Sequence, residues 1–152
     1  MKVEAERAER NELTEVIRTE RGWAGHFCAA SNCRYRRNTL LELGEVKVIV
    51  SSVGCYVYDG SIQKIGHNRY YETMVFYAQP LAKNIDGYIE ADVTREIHVE
   101  SERGIYGEME CDLSRTVDMD MDKIHEGVVE EMIMKIKNGT ITEPNSYYED
   151  YN

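Results

Sequence analysis

Two segments gather side chains able to hold an anion. Arg34-Tyr35-Arg36-Arg37-Asn38-Thr39 places three guanidiniums, one aromatic ring and two short polar side chains side by side. Gly66-His67-Asn68-Arg69-Tyr70-Tyr71-Glu72 adds another guanidinium, an imidazole, an amide and two tyrosines. Guanidinium forks bind phosphate or carboxylate bidentately, and tyrosine rings stack on bases or fill protein pockets. On a strand, Arg34, Arg36 and Asn38 face one way and Tyr35, Arg37 and Thr39 the other. The expected ligand- or partner-binding site is therefore Arg34, Tyr35, Arg36, Arg37, Asn38, His67, Asn68, Arg69, Tyr70 and Tyr71. Within it, Arg34 and Arg36 clamp one ligand while Arg37 pairs with an internal acid. The competing reading makes these arginines solvated partners of the acidic second part of the chain.

His26-x-Cys28-x4-Cys33 is a second candidate, because imidazole and thiolate are ligands that zinc prefers. Its spacing departs from the usual close cysteine pair, and a fourth ligand would have to be His67, Cys55, Cys111 or solvent. The zinc-deaminase pattern needs His-x-Glu and Pro-Cys-x-x-Cys, and the chain has neither. No cofactor is expected, with zinc at His26, Cys28 and Cys33 as the alternative. No serine sits in a nucleophile elbow, and there is no Walker loop or dinucleotide fingerprint. His125 falls beside Val128, Val129 and Met132 and reads as a core-packing residue; His98 lies on the polar side of its segment. With no nucleophile and base paired at a recognisable spacing, binding without catalysis is the expectation.

The chain has 152 residues, only 2 of them proline, and 42% are hydrophobic, which suits one folded domain. Its 18 basic and 28 acidic residues give a net charge of −10. Residues 1–60 hold 9 of each sign, so the whole imbalance falls in residues 61–152. That balance disfavours long nucleic acid, whose binding draws on neutralised phosphates, and leaves an acidic DNA mimic as one alternative. No apolar run is long enough to span a bilayer, and the charged start Met1-Lys2-Val3-Glu4 does not read as a signal peptide. The four cysteines then read as reduced thiols in a cytoplasmic setting.

The elements that must position these residues are mostly strands. Residues 1–12 read as an N-terminal arm, 13–142 as one globular domain and 143–152 as an acidic, tyrosine-rich tail. Leu13 to Arg18 reads as a first strand, and His26 to Ala30 as another. Thr39-Leu40-Leu41 opens an extended stretch that breaks at Gly44. Val46 to Val50 and Cys55 to Tyr58 are β-branched and aromatic, and Asp59-Gly60 is a hairpin turn leading to Ser61–Ile65. Arg69 to Ala78 is a long aromatic strand, followed by alternating segments at Tyr88–Val93 and Thr94–Val99. Met121, Ile124, Val128, Met132 and Ile136 draw an apolar stripe over a helix at about 120–138, with Gly139 as its C-cap. The expected class is α+β: a mainly antiparallel sheet of five to seven strands backed by one C-terminal amphipathic helix. Long aromatic strands leave edges to cover, so a homodimer is expected.

The segments Gly25-His26-Phe27-Cys28, Cys33-Arg34-Tyr35-Arg36-Arg37-Asn38-Thr39-Leu40 and Arg69-Tyr70-Tyr71-Glu72-Thr73-Met74 give the chain a further lead. Through them it resembles small uncharacterised proteins of bacteriophages, prophages and plasmids. The resemblance spans Leu13 to Gly139 and implies a mobile-element origin and a bacterial host cytoplasm. It further implies an accessory, anti-defence-type role: binding a host protein or an anionic small ligand such as a nucleotide.

Overall fold

The computed structural model describes residues 15–21, 26, 32–80, 89–106 and 115–143. A long hairpin organises the sheet. β2 (Cys33–Leu43) and β3 (Val46–Tyr58) run antiparallel in a register from Leu43 opposite Val46 to Cys33 opposite Tyr56. Gly44 joins them at a φ of 59°. A two-residue loop with positive φ at its first position has the twist that the flanking strands need. β4 (Ser61–Gln63) folds back on the end of β3 through Asp59 and Gly60, at φ 51° and 76°. β5 (Arg69–Pro80) pairs with β3 from Val48–Tyr77 to Gly54–Tyr71. β1 (Ile17–Glu20) flanks β2, while β6 (Ile89–Ile97) and β7 (Gly104–Tyr106) flank β5. The resulting order is β1-β2-β3-β5-β6, with every pairing antiparallel.

One helix, α1 (Arg115–Lys137), lies across one face of this sheet. Val128, Val129, Met132 and Ile136 bury its inner side against Leu41, Val48, Val50 and Val75, and Met121 packs against Tyr35, Cys55 and Tyr71. Gly139, at φ 80°, ends the helix; the Ile141 N–H then closes on the Lys135 carbonyl at 2.9 Å and seats Ile141 in the same core. The opposite face is also closed around Leu40, Ile49, Phe76 and Ala78. β3 is accordingly buried without interruption from Val48 to Cys55, which is why its sequence is nearly continuous apolar rather than alternating. No helix among the described residues is long and apolar enough to cross a membrane.

The α+β class, the seven strands, the Asp59-Gly60 turn and the C-terminal helix agree with the sequence reading. Several details differ, the first being that Val46–Val50 and Cys55–Tyr58 belong to one strand, β3. β1 continues to Glu20, whose carboxylate is anchored by Thr39. β2 begins at Cys33 rather than Thr39, because the charged ends of Arg34 and Arg37 find partners on α1. The two alternating segments after residue 88 form one strand, accommodated by an irregularity between Phe76 and Ala78. The helix starts at Arg115, so Asp118 lies within its first turn rather than ahead of it. His26 is a bend rather than the start of a strand, and Phe27–Ala30 lie outside the described residues, as do 1–12 and 144–152.

Candidate functional site

Asp118, Asp122 and Glu126 recur every fourth residue along one flank of α1 and meet the helix-facing side chains of the sheet. Tyr71 donates its hydroxyl to Asp118 Oδ1 at 2.8 Å, and Arg34 Nη2 donates to Asp118 Oδ2 at 2.6 Å. Tyr35 donates to Asp122 Oδ1 at 2.6 Å. Arg37 bridges Asp122 and Glu126, and Arg18 donates to both Glu126 oxygens at 2.7 and 2.5 Å. Hydrogen bonds from Arg18, then Arg37, bring the Glu126 carboxyl down to about 2 against the effect of burial. Burial, followed by Asp122, pushes the Tyr35 phenol up. The rings of Tyr35 and Tyr71 meet edge-on, 5.8 Å between centroids. Four of the expected site residues, Arg34, Tyr35, Arg37 and Tyr71, are thus brought together along the helix–sheet seam, Tyr35 and Tyr71 buried in it and Arg34 at its exposed edge. Arg37 does pair with acids of the chain, Asp122 and Glu126, but Arg34 turns to Asp118 on α1 instead of clamping a ligand together with Arg36. Tyr71→Phe is expected to cost about 1–2 kcal/mol in urea unfolding, since Asp118 keeps Arg34 while losing one buried hydrogen bond.

Beside that row lies a directed chain of buried hydroxyls. Glu20 is held below the usual carboxylate range: burial would raise it, but hydrogen bonds from Arg18 and Thr39 outweigh that. An ionised carboxylate only accepts, so Thr39 donates to it, at 3.0 Å from each oxygen. Thr39 Oγ1 then accepts from His125 Nε2–H at 2.8 Å, which leaves Nδ1 to accept from Ser52 at 2.6 Å. Ser52 in turn accepts from Thr73 at 2.6 Å. Thr39, Ser52, Thr73 and His125 are all fully buried. Burial first, with Arg37 second, brings the His125 imidazole down to about 4, so the ring is neutral and the chain has one direction.

The opposite face repeats the device. Glu72 Oε1 lies 3.0 Å from His26 Nε2, and His26 Nδ1 lies 3.0 Å from Ser51 Oγ. The His26 backbone N–H also donates to Ser51 Oγ at 3.2 Å. The His26 hydrogen bond, joined by one from Arg69, outweighs burial and takes Glu72 down to about 2. The wiring is that of a serine–histidine–acid triad, but Ser51 is only 2% exposed and sealed into the sheet. Consecutive serines of β3 therefore each hold a histidine, one on either side. No sequence signal marks these pairs, because their partners lie far along the chain.

The remaining expected residues sort by exposure. Asn38 is buried, and its Oδ1 has no hydrogen-bond partner among the described residues. Arg36 is exposed on the face away from α1, across the strands from Val53 and then Glu72. Ile65 packs with Cys33 and Val53, which brings the segment 64–69 next to Arg36. There Asn68, at φ 54°, turns the chain so that Ile65 N–H bonds to the Arg69 carbonyl at 2.9 Å. His67 and Asn68 are exposed, Arg69 bonds to Glu72 yet keeps 43% of its side chain exposed, and Lys64 sits 5.8 Å from the ring centroid of Tyr70. Lys64 is the member of this rim that sequence reading missed, although it stands two residues before Gly66.

For zinc, both ring nitrogens of His26 are engaged, Cys28 lies outside the described residues, and Cys33 belongs to a separate apolar cluster. Burial pushes the Cys33 thiol up to about 11, which favours the protonated form over a ligating thiolate. Among the described residues no group of three or more His, Cys, Asp or Glu is placed to hold a metal ion. Comparison of the chain with protein-family models, curated proteins and solved structures finds no match.

Proposed function

We propose that this protein is a non-catalytic binding module that takes an anionic small ligand, of the nucleotide kind, at the rim formed by Arg36, Lys64, His67, Asn68, Arg69 and Tyr70. One observation carries the reading. Arg34 and Arg37 are matched to helix carboxylates, whereas Arg36, between them, is exposed and makes no ion pair with a described residue. In a chain with ten more acids than bases, a guanidinium left open on the sheet is suited to an external anion. Arg36 stands two strands from Glu72, roughly 10 Å, so Arg36 and the Arg69 beside Glu72 fit a ligand with charge at one end and a polar or planar group at the other. The likeness of its segments to small phage, prophage and plasmid proteins supports an accessory, anti-defence-type role in a bacterial cytoplasm.

The test is calorimetric titration with ATP and with pyrophosphate. Arg36→Ala should weaken binding about ten- to hundredfold, the loss of one charge-assisted hydrogen bond, with an unchanged melting temperature. Affinity should also fall as salt rises. If a polyglutamate peptide binds instead, with Arg36→Ala slowing its association, the partner is an acidic protein. If Arg36→Ala leaves every affinity unaltered, the rim is not a binding site.

A further inference from the structure

The outward side of α1 carries a pattern that its own fold does not use. Asp120, Lys123, Gly127, Glu130 and Met134 step along the helix directly opposite the buried row of Met121, His125, Val128, Met132 and Ile136. Gly127 sits mid-helix, where glycine is the least favourable residue other than proline, yet a Cβ there would meet nothing within 4 Å. Met119 and Met134 are 60% and 66% exposed on the same side. Gly127 and Met134 also line an open groove of about 430 Å3 with Glu100, Ser101, Glu130 and Glu131. Apolar side chains left in water beside an unexplained glycine mark a contact surface.

We propose that this side of α1 is a two-fold interface with a second copy of the chain, the helices crossing antiparallel with the axis between Glu126 and Gly127. The argument is self-complementarity. With the axis there, Lys123 of one copy falls opposite Glu130 of the other, and Met119 falls opposite Met134. Both pairs obey the same centre, so each contact occurs twice, as a two-fold axis demands. At the crossing itself Gly127 lets the backbones approach closely. The residue it faces, Glu126, already has its charge matched by Arg18 and Arg37, so no bare carboxylate is trapped at the axis. The groove beside Gly127 gives the incoming Met119 room. This interface is independent of the anion-binding rim, whose Arg36 lies on the other face of the sheet.

Sedimentation equilibrium on the full chain tests it. The wild type should dimerise reversibly at micromolar concentration. Lys123→Glu and Glu130→Lys should each weaken the dimer about tenfold, since symmetry reverses two pairs at once. The double variant should restore it. Gly127→Arg should abolish the dimer while the melting temperature of the dilute monomer holds or rises, because the side chain enters open space. A wild type that stays monomeric, a dimer indifferent to Gly127→Arg, or charge reversals without rescue would each overturn the proposal.

Discussion

Gly104→Ala and Gly54→Ala are expected to destabilise the protein by about 3 kcal/mol or more, a large share of the roughly 5–15 kcal/mol that holds a domain together. Both glycines press on Tyr71. A Cβ at Gly54 would lie 2.2 Å from Tyr71 Cδ1 and 2.8 Å from its Cα; one at Gly104 would lie 2.1 Å from the Tyr71 carbonyl oxygen. A side-chain tip can swing away from such a clash, but backbone in the middle of a sheet cannot. Tyr71 is fully buried and bonded to Asp118, so moving it disturbs both β5 and the first turns of α1. Urea unfolding measures the loss. Gly127→Ala is the internal control with the opposite sign: its methyl meets nothing, and the helix should gain about 0.5–1 kcal/mol in the monomer. Equal effects at the three positions would mean that Tyr71 is not clamped between its neighbours.

Acid should unfold the protein in two stages. His125 titrates near 4 when folded against 6.5 ordinarily, so below pH 6.5 the unfolded chain takes up a proton that the native state refuses. Its contribution is fully present above pH 6.5 and is lost as the pH falls towards 4, on the order of 3 kcal/mol in all. Glu72, Glu126 and Glu131, each near 2 against 4.5, behave in the same sense at lower pH. Their contribution is intact above about pH 4.5 and disappears as the pH drops towards 2. Urea midpoints between pH 8 and 3 should therefore decline first below pH 6.5 and again below 4.5. His125→Phe should lower stability at pH 7, by leaving Thr39 and Ser52 without their shared partner, and should erase the first stage. A wild-type profile flat between pH 7 and 5 would show that His125 is not buried as a neutral ring.

What could be read from sequence was whatever the chain states locally. The Asp59-Gly60 turn, the β-branched run at Val46–Val50 and the helix closed by Gly139 each follow from residues within a few positions of one another. Arg34, Tyr35 and Arg37 read as part of a ligand-binding cluster because their partners are remote. Arg34 meets an acid 84 residues away, and Tyr35 one 87 away. The clue to that seam lies in the fourfold spacing of Asp118, Asp122 and Glu126 alongside the apolar stripe, but only the sheet's position shows that the row meets Arg34, Tyr35 and Arg37 along the helix's half-exposed flank. The expectation that His125 packs near the core agrees with its full burial. Ser52, which holds its ring, has no local feature that distinguishes it from the adjacent Ser51.

Those two serines fix how β3 can sit between its neighbours. A strand with one wet face is kept in register by hydrophobic alternation, since a slip by one residue turns its apolar side outward. β3 is apolar on both sides from Val48 to Val50 and again at Val53, so greasy contact alone would tolerate such a slip. The hydroxyls would not. Slid one way, Ser51 would take the place of Ser52 and Val50 would face His26. Slid the other way, Val53 would face His125. In either misalignment one imidazole nitrogen is left dry and unpaired, so the alignment of the central strand is encoded by two oxygen atoms rather than by its hydrocarbon.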